Sequence, residues 1–333
     1  MSYTVTVLEG DGIGKEIVSA TQRVLDATGV PITWEVMPSG EPAAEKYKTP
    51  VPDETIESIR RNKVAIKGPL TNMVAKGFPS PNITLRIKLG IIAAVKCAKS
   101  FEGVPSIAPG ADLIVVREAN EDTYAGAEQQ VGPDAAVAFK FITRETSERV
   151  ARYTMELARK LGRKKVAVAH KANVLKLTDG LFLNSAQKVA EQYPDIEFES
   201  VMIDHIVYKL VKRPLECDII LAPNVYGDIL ADLIAGVAGS LGLGYGMNIG
   251  SDVALFEPIH GTVPSRAGKN IINPLGEILS GALMLNHLGE TKAAKAVEDA
   301  AAKVLKEGKV LTYDMGGTAS TTEFTNAIIN ALA

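Results

Sequence analysis

The chain has 333 residues, 46% of them hydrophobic and 23% charged, ordinary proportions for a globular protein and enough for about two domains with cores of their own. A formal charge of −3 argues against a nucleic-acid or membrane-surface partner, which would ask for a basic patch, but leaves room for a local basic site that takes a small anion. The two cysteines, Cys97 and Cys217, have no C-x-x-C spacing, so a thiolate metal centre is not expected and a reduced, cytoplasmic chain is.

Tyr3–Leu8 alternates and is β-branched, and no basic n-region with an apolar signal stretch stands before it. It runs into Gly10-Asp11-Gly12-Ile13-Gly14 and then an amphipathic stretch, 15–27, which reads as strand, tight glycine turn, helix. Val64–Lys67 and residues 113–117 are further short apolar strands; the apolar run 91–95 is too short to span a bilayer. Residues 146–160 have helical spacing, with Arg149, Tyr153, Glu156 and Lys160 on a charged face. A strand at 165–169, a helix at 178–192, a buried strand at 218–222 and a helix at 227–237 follow, and 275–286 and 292–306 are two more helical runs. The alternation of strands and helices indicates an α/β architecture. No Gly/Ser-rich linker separates two halves, so two domains would have to be interwoven.

Four motifs sit at the ends of these strands, and a fifth opens a helix. Gly10-x-Gly12-x-Gly14 lacks the G-x-G-x-x-G spacing of the dinucleotide fingerprint; a sharp turn that needs glycine's backbone freedom is preferred over a pyrophosphate site. Asp228 and Asp232 in Asn224-Val-Tyr-Gly-Asp-Ile-Leu-Ala-Asp are four apart and share one helix face, where like charges repel unless a hard cation such as Mg²⁺ or Mn²⁺ lies between them. A helix N-terminus that favours carboxylates accounts equally well for Asp228 and poorly for Asp232, set in an apolar run. Lys171, in His170-Lys-Ala-Asn173, is either a perturbed base or a phosphate contact, or simply marks the exit to solvent, which is the commoner case. Arg117, ahead of Glu121, Asp122 and Tyr124, is placed to grip a carboxylate through its fork, though alone it reads as a charged loop. Ser80, Asn82 and Arg86 could converge on an anion, while Ser80 and Pro81 also suit a capped helix start.

Taken in order, the motifs EGDGIGKEI, VREANEDTYAG, HKANVLKLTDGLF, NVYGDILADL, LFEPIHGTVPSRAGKNIINP and TYDMGG resemble the isocitrate/isopropylmalate dehydrogenase family of β-decarboxylating dehydrogenases over essentially the whole chain. The resemblance implies an α/β, isopropylmalate-dehydrogenase-like two-domain fold with a non-Rossmann cofactor site. It implies a large cofactor-binding domain from residues 1–95 and 238–333, and a small domain, 96–237, that carries substrate and metal residues and the dimer contact. A homodimer with shared active sites is expected. Residue by residue, Tyr124 and Lys171 match the catalytic pair, and Asp228 and Asp232 match two metal ligands, with Asp204 the third, contributed across the dimer. Arg86 and Arg117 match carboxylate-binding arginines, and Asn173 a polar group near substrate and nicotinamide. Ser80 and Asn82 match the isocitrate type rather than the apolar pocket of isopropylmalate enzymes. Asn224, His260, Gly261, Ser265, Arg266, Asn273 and Tyr313 fall on cofactor positions. The implied chemistry is metal-assisted oxidation of a (2R,3S)-3-substituted malate at C2, with Lys171 taking the hydroxyl proton, then loss of CO₂ and protonation of C3 by Tyr124.

Two departures bear on specificity. Where the family commonly has Ala-Asn-Val-Arg-Pro, this chain has Ala93-Ala-Val-Lys96-Cys97, so Lys96 keeps the charge on a substrate carboxylate and loses the bidentate fork. Homoisocitrate, 3-isopropylmalate or a phosphonomethyl-malate therefore stand beside isocitrate, and a regulatory subunit of a hetero-oligomeric enzyme is the alternative of another class. Where NAD-using relatives usually carry an aspartate after His-Gly-x-x-Pro, this chain has Ser265 and Arg266. With Tyr313, these favour NADP over NAD, because the repelling carboxylate is gone and an arginine can pair with a 2′-phosphate.

Overall fold

The computed structural model describes residues 2–332. In chain order the strands are β1 Tyr3–Leu8, β2 Ile32–Val36, β3 Val64–Lys67, β4 Ile91–Lys99, β5 Asp112–Glu118, β6 Glu128–Val131, β7 Ala135–Ala138, β8 Lys165–His170, β9 Glu197–Met202, β10 Ile219–Ala222, β11 Gly244–Gly250 and β12 Ala254–Pro258. The helices are α1 Gly14–Ala27, α2 Gly40–Tyr47, α3 Asp53–Asn62, α4 Pro81–Lys88, α5 Arg144–Lys160, α6 Thr178–Ala190, α7 Ile203–Lys212, α8 Asn224–Ala238, α9 Leu275–His287, α10 Thr291–Glu307 and α11 Thr321–Leu332.

Ten strands form one mixed sheet in the order β2-β1-β3-β12-β11-β4-β5-β10-β8-β9. Its two outer blocks are parallel, β2-β1-β3-β12 and β5-β10-β8-β9. Between them, β12-β11-β4-β5 run antiparallel. Parallel strands must be covered on both faces, and they are. On one side of the β1-β3-β12 block, Val5, Val7, Ile66 and Phe256 pack with apolar residues of α1, α9, α10 and α11. On the other, Leu8, Ala65 and Leu255 pack with α3 and α4. The second block is sandwiched in the same way, by α5 and α6 on one face and by α7 and α8 on the other. Burial on both faces explains why β1 is fully buried from Val5 to Leu8 instead of alternating. Cys97 and Cys217 are both free thiols, and both are buried.

The predicted helices and strands are present, most with ends moved by one to three residues. The helix expected at 227–237 starts at Asn224, one turn earlier, so Asp228 lies in its second turn instead of at its start. Pro81 opens α4 as expected, but the Ser80 side chain makes no capping bond, which leaves its hydroxyl uncommitted by the helix. The glycine turn is a turn: Gly10 and Gly12 have φ of 78° and 58°. A Cβ at Gly12 would lie 2.0 Å from the Thr262 carbonyl oxygen, and Ile13 N–H donates to that same oxygen at 3.0 Å. Gly12→Ala is therefore expected to lower stability by about 1–3 kcal/mol through overpacking, with left-handed backbone strain in addition. Urea unfolding of wild type and variant checks it, and an unchanged midpoint would contradict the close approach.

Candidate active site

β5 delivers Arg117 at its carboxyl end, and α8 lies across it. Arg117 Nε donates to Asn224 Oδ1 at 2.8 Å, and Nη1 donates to Asp228 Oδ1. Its Nη2 is buried with no partner among the described residues. Tyr124, in the short turn after β5, donates its hydroxyl to Asp228 Oδ2 and lies under the Arg117 guanidinium, 4.7 Å from its ring centroid. Burial and the Asp228 carboxylate raise the Tyr124 phenol above its ordinary value, so it holds its proton at neutral pH.

Arg86, Lys96, Arg117, Asp228, Asp232, His260, Gly261 and Asn82 line one cleft of about 150 Å³. Arg86 is buried and appears in no hydrogen bond or ion pair with a described residue; burial and the neighbouring Arg117 charge depress its pKa. Asp232 is one turn beyond Asp228, and partial burial together with that like charge raises its carboxyl. An unpaired arginine wants an anion, and two crowded carboxylates want a cation. The pair has no further ligand beside it within the chain: among the described residues, no three of His, Cys, Asp or Glu come together as a metal cluster. The expected third ligand, Asp204, is exposed at the start of α7 and takes the Lys171 ammonium as its partner. The chain thus holds two separate pairs, Tyr124 with Asp228 and Lys171 with Asp204, the half-sites that an active site shared between two copies would require. Asn173 is exposed just beyond Lys171, and Ser80 is half-buried.

The structure gives two predicted residues different partners. Lys96 lines the cleft, but its ammonium is paired with Glu257 at 2.8 Å. Asn224 is fully buried and spends its amide on Arg117 and on the Glu121 carbonyl, 3.1 Å away, so it braces Arg117 from beneath.

A second cavity of about 130 Å³ adjoins the first through His260 and is lined by Ile13, Val263, Asn273, Tyr313 and Asp314 among others. His260 donates Nδ1 to the Gly261 carbonyl, burial keeps the ring neutral by lowering its pKa, and Nε2 is left as a buried acceptor without a donor among the described residues. Asn273 lines this cavity while bonding Asp314 at 3.0 Å and the Leu275 N–H at 3.0 Å. Arg266 stacks over Tyr313, 4.0 Å from its ring centroid, with Ser265 exposed beside it.

Sequence reading missed the charges behind the cleft. Lys67 Nζ and Lys96 Nζ both pair with Glu257, at 2.7 and 2.8 Å, and Asn248 Nδ2 donates to the same carboxylate at 2.7 Å. The two lysines hold the Glu257 carboxyl well below the ordinary range against the opposing effect of burial. A lysine closing one buried strand and a glutamate inside another were the available signals, since buried charges occur in pairs. Glu277, on α9 nearby, is fully buried with neither oxygen partnered among the described residues, and burial raises its carboxyl well above the usual value. As pH climbs past the ordinary carboxylate range, the unfolded chain loses this proton while the folded chain keeps it, so stability falls with pH. Glu277→Leu should therefore stabilise the protein at pH 8 by about 1–3 kcal/mol, and the gain should shrink towards pH 4. Unfolding midpoints across that range check it; a variant less stable than wild type at pH 8 would mean that the carboxyl has a partner.

The family model for isocitrate/isopropylmalate dehydrogenases matches residues 4–328. The chain is 44% identical over 330 residues to catalytic subunit 5 of the mitochondrial NAD isocitrate dehydrogenase of Arabidopsis thaliana, covering 99% of this chain and 88% of that protein. It is also 44% identical over 334 residues to the NADP isocitrate dehydrogenase of Thermus thermophilus, covering 98% of this chain and 67% of that protein. The crystal structure of isocitrate dehydrogenase from Methylococcus capsulatus matches with a TM-score of 0.96 at 43% identity, over 99% of each chain. Fold, cleft and comparisons agree: this chain belongs to the isocitrate/isopropylmalate dehydrogenase family and is a dehydrogenase.

Proposed function

We propose that the enzyme carries out metal-dependent oxidative decarboxylation of a (2R,3S)-3-substituted malate, isocitrate to 2-oxoglutarate, with NADP, as a homodimer with shared active sites. The observation that carries this reading is the unpaired, buried Arg86 in one cleft with Arg117, Asp228 and Asp232. That combination suits a polycarboxylate chelated to a divalent ion. Asp228 and Asp232 would hold Mg²⁺ or Mn²⁺ with Asp204 from a second copy, which fits the separation of the two half-sites within one chain. The β6–β7 hairpin with its flanks exposes Val131, Val137, Phe139 and Phe141, an apolar surface that a second copy would cover. Interwoven domains, 1–95 with 238–333 and 96–237, are part of this reading; two clusters of buried residues lie mostly on either side of that division, with Ala93 and Val95 packing into the second and Val104 into the first.

Arg86 and Arg117 grip the malate carboxylates, the latter through its free Nη2. Lys171 takes the proton of the 2-hydroxyl as hydride leaves C2 for the nicotinamide. Tyr124, kept protonated by its surroundings, returns a proton to C3 after CO₂ departs. A bound divalent ion supplies the positive charge that acidifies the hydroxyl and steadies the developing enolate. Asn82 in the cleft and the uncommitted Ser80 hydroxyl suit a polar substituent at C3 more than an isopropyl group. The presence of Tyr124, Lys171, Asp204, Asp228 and Asp232 favours an active enzyme over a regulatory subunit.

The purified chain should turn over isocitrate with Mg²⁺ or Mn²⁺ at higher kcat/KM than homoisocitrate, 3-isopropylmalate or a phosphonomethyl-malate, followed at the reduced-nicotinamide absorbance. Chelator should abolish the reaction and Lys171→Met should stop hydride transfer. Undiminished turnover after exhaustive metal removal, or a preference for 3-isopropylmalate, would reject the proposal.

NADP is preferred in this reading because the guanidinium of Arg266, stacked on Tyr313, keeps its edge donors available for a 2′-phosphate. Replacing Ser265 by Asp together with Arg266 by Ile should shift the kcat/KM ratio towards NAD by about 10- to 100-fold, the worth of one charged hydrogen bond. A wild-type preference for NAD, or a double variant with the same ratio as wild type, would show that these residues do not read the phosphate.

A further inference from the structure

Outside the cleft, one buried cluster touches three of the segments that carry the proposed machinery. Lys140 lies just after the β6–β7 hairpin, and its ammonium is 2.7 Å from Asp179 Oδ1 and 3.5 Å from Asp122 Oδ1. It also sits over the Tyr226 ring, 4.4 Å from the centroid. The side chains of Asp179 and Asp122 are 0% and 1% exposed, and that of Lys140 is 14% exposed. One cation thus neutralises two buried carboxylates.

Each carboxylate spends its other bonds on backbone. Asp179 Oδ2 accepts the Lys171 N–H at 2.7 Å. Asp122 Oδ1 accepts the Thr123 N–H at 2.8 Å, one residue before Tyr124, and Oδ2 accepts the Val225 N–H at 3.1 Å, in the first turn of α8. Asp122 itself has φ 67° and ψ −154°, a region that non-glycine residues occupy only when their surroundings over-determine it. Those surroundings are its own two side-chain bonds, the Lys140 charge, and its N–H donating to the Phe141 carbonyl at 2.8 Å. Tyr226, on the same turn of α8, closes the cluster.

We propose that Lys140 is a positioning residue whose ammonium sets the Tyr124 turn, the Lys171 turn and the start of α8 in one register. The proposal takes the catalytic roles of Tyr124 and Lys171 from the preceding section, while the register itself is independent of them. The two half-sites of a chain share no direct bond between Tyr124–Asp228 and Lys171–Asp204, so this cluster is what ties them. Because Lys140 and Phe141 directly follow the hairpin, the same node joins the exposed apolar surface to the catalytic turns. A packing role alone would stabilise the fold without fixing the relative placement of the two turns.

The test uses the full-length enzyme and two readouts. Amide hydrogen exchange is measured at Thr123, Lys171 and Val225, and steady-state kinetics are measured with isocitrate. Lys140→Met should lower protection at all three amides together and reduce kcat by about 100-fold, the scale of a 1 Å misplacement, with a much smaller change in KM. Lys140→Arg should restore part of the loss. Lys140→Met combined with Asp179→Asn removes one stranded charge and should regain thermal stability without regaining kcat. Protection retained at any two of the three amides in Lys140→Met, or recovery of kcat along with the melting temperature in the double variant, would overturn the proposal. Joint loss of protection with kcat intact would uphold the register and reject instead the roles given to Tyr124 and Lys171.

Discussion

Helix α8 reaches the sheet because residue 227 has no side chain. A Cβ there would stand 2.6 Å from the Arg117 Cβ and 2.7 Å from its Cγ, closer than real atoms pack. The contact lets Asn224 and Asp228, on either side of the glycine, take two of the guanidinium's nitrogens, and it carries Asp232 into the same cleft as Arg86. A helix held one carbon further away would draw Asp228 and Asp232 away from Arg117 and Arg86. The cleft's chemistry thus rests on close approach at one backbone position, and the charged groups around it are arranged by consequence.

Behind that contact, the charges divide into those already satisfied and those left over. Lys67 and Lys96 share Glu257, whose oxygens also serve Asn248. A compact ammonium suits this shared carboxylate, where a planar guanidinium would need a second acceptor in its fork. Removing the two lysines from the count leaves Arg86 and one nitrogen of Arg117 as the uncommitted cationic donors of the cleft among the described residues. Lys96 therefore belongs to the inner wall of the pocket, its ammonium already paired with Glu257.

Much of this was legible in the sequence, and the reason differs from part to part. The long amphipathic helices were readable because their period is local: Arg149, Glu156 and Lys160 are exposed on α5 as their spacing requires. The paired acids of α8 were readable because four-residue spacing on a helix fixes their common face. The strands β11 and β12 and the pairing of β4 were not anticipated: β12 is buried along its length and shows no alternation, and β11 alternates with glycine, which reads as loop. The same limit hid Lys67 and Glu257, whose partnership joins strands far apart in the chain. The cluster of Lys140, Asp122 and Asp179 escaped notice because the three lie far apart in the chain, in loops or at a helix start, and only folding brings them to one point. Asn224 shows a limit of another kind: its place in the motif was plain, but only the packing shows its amide turned towards Arg117.

The sheet order carries a consequence for how the chain is made. β3 is buried along its whole length, yet one of its two neighbours, β12, is not synthesised until residue 258. The helices α9, α10 and α11 that seal the same core come later still. On a ribosome, the first hundred residues must therefore wait with an open strand edge and with Lys67 lacking its counter-charge. The middle of the chain, whose parallel block is complete by β10, can settle first. Nascent chains of this protein are thus exposed at their beginning and not at their end, the reverse of the usual N-terminal-first order, and the unpaired edge of β3 is where premature association between neighbouring nascent chains would start.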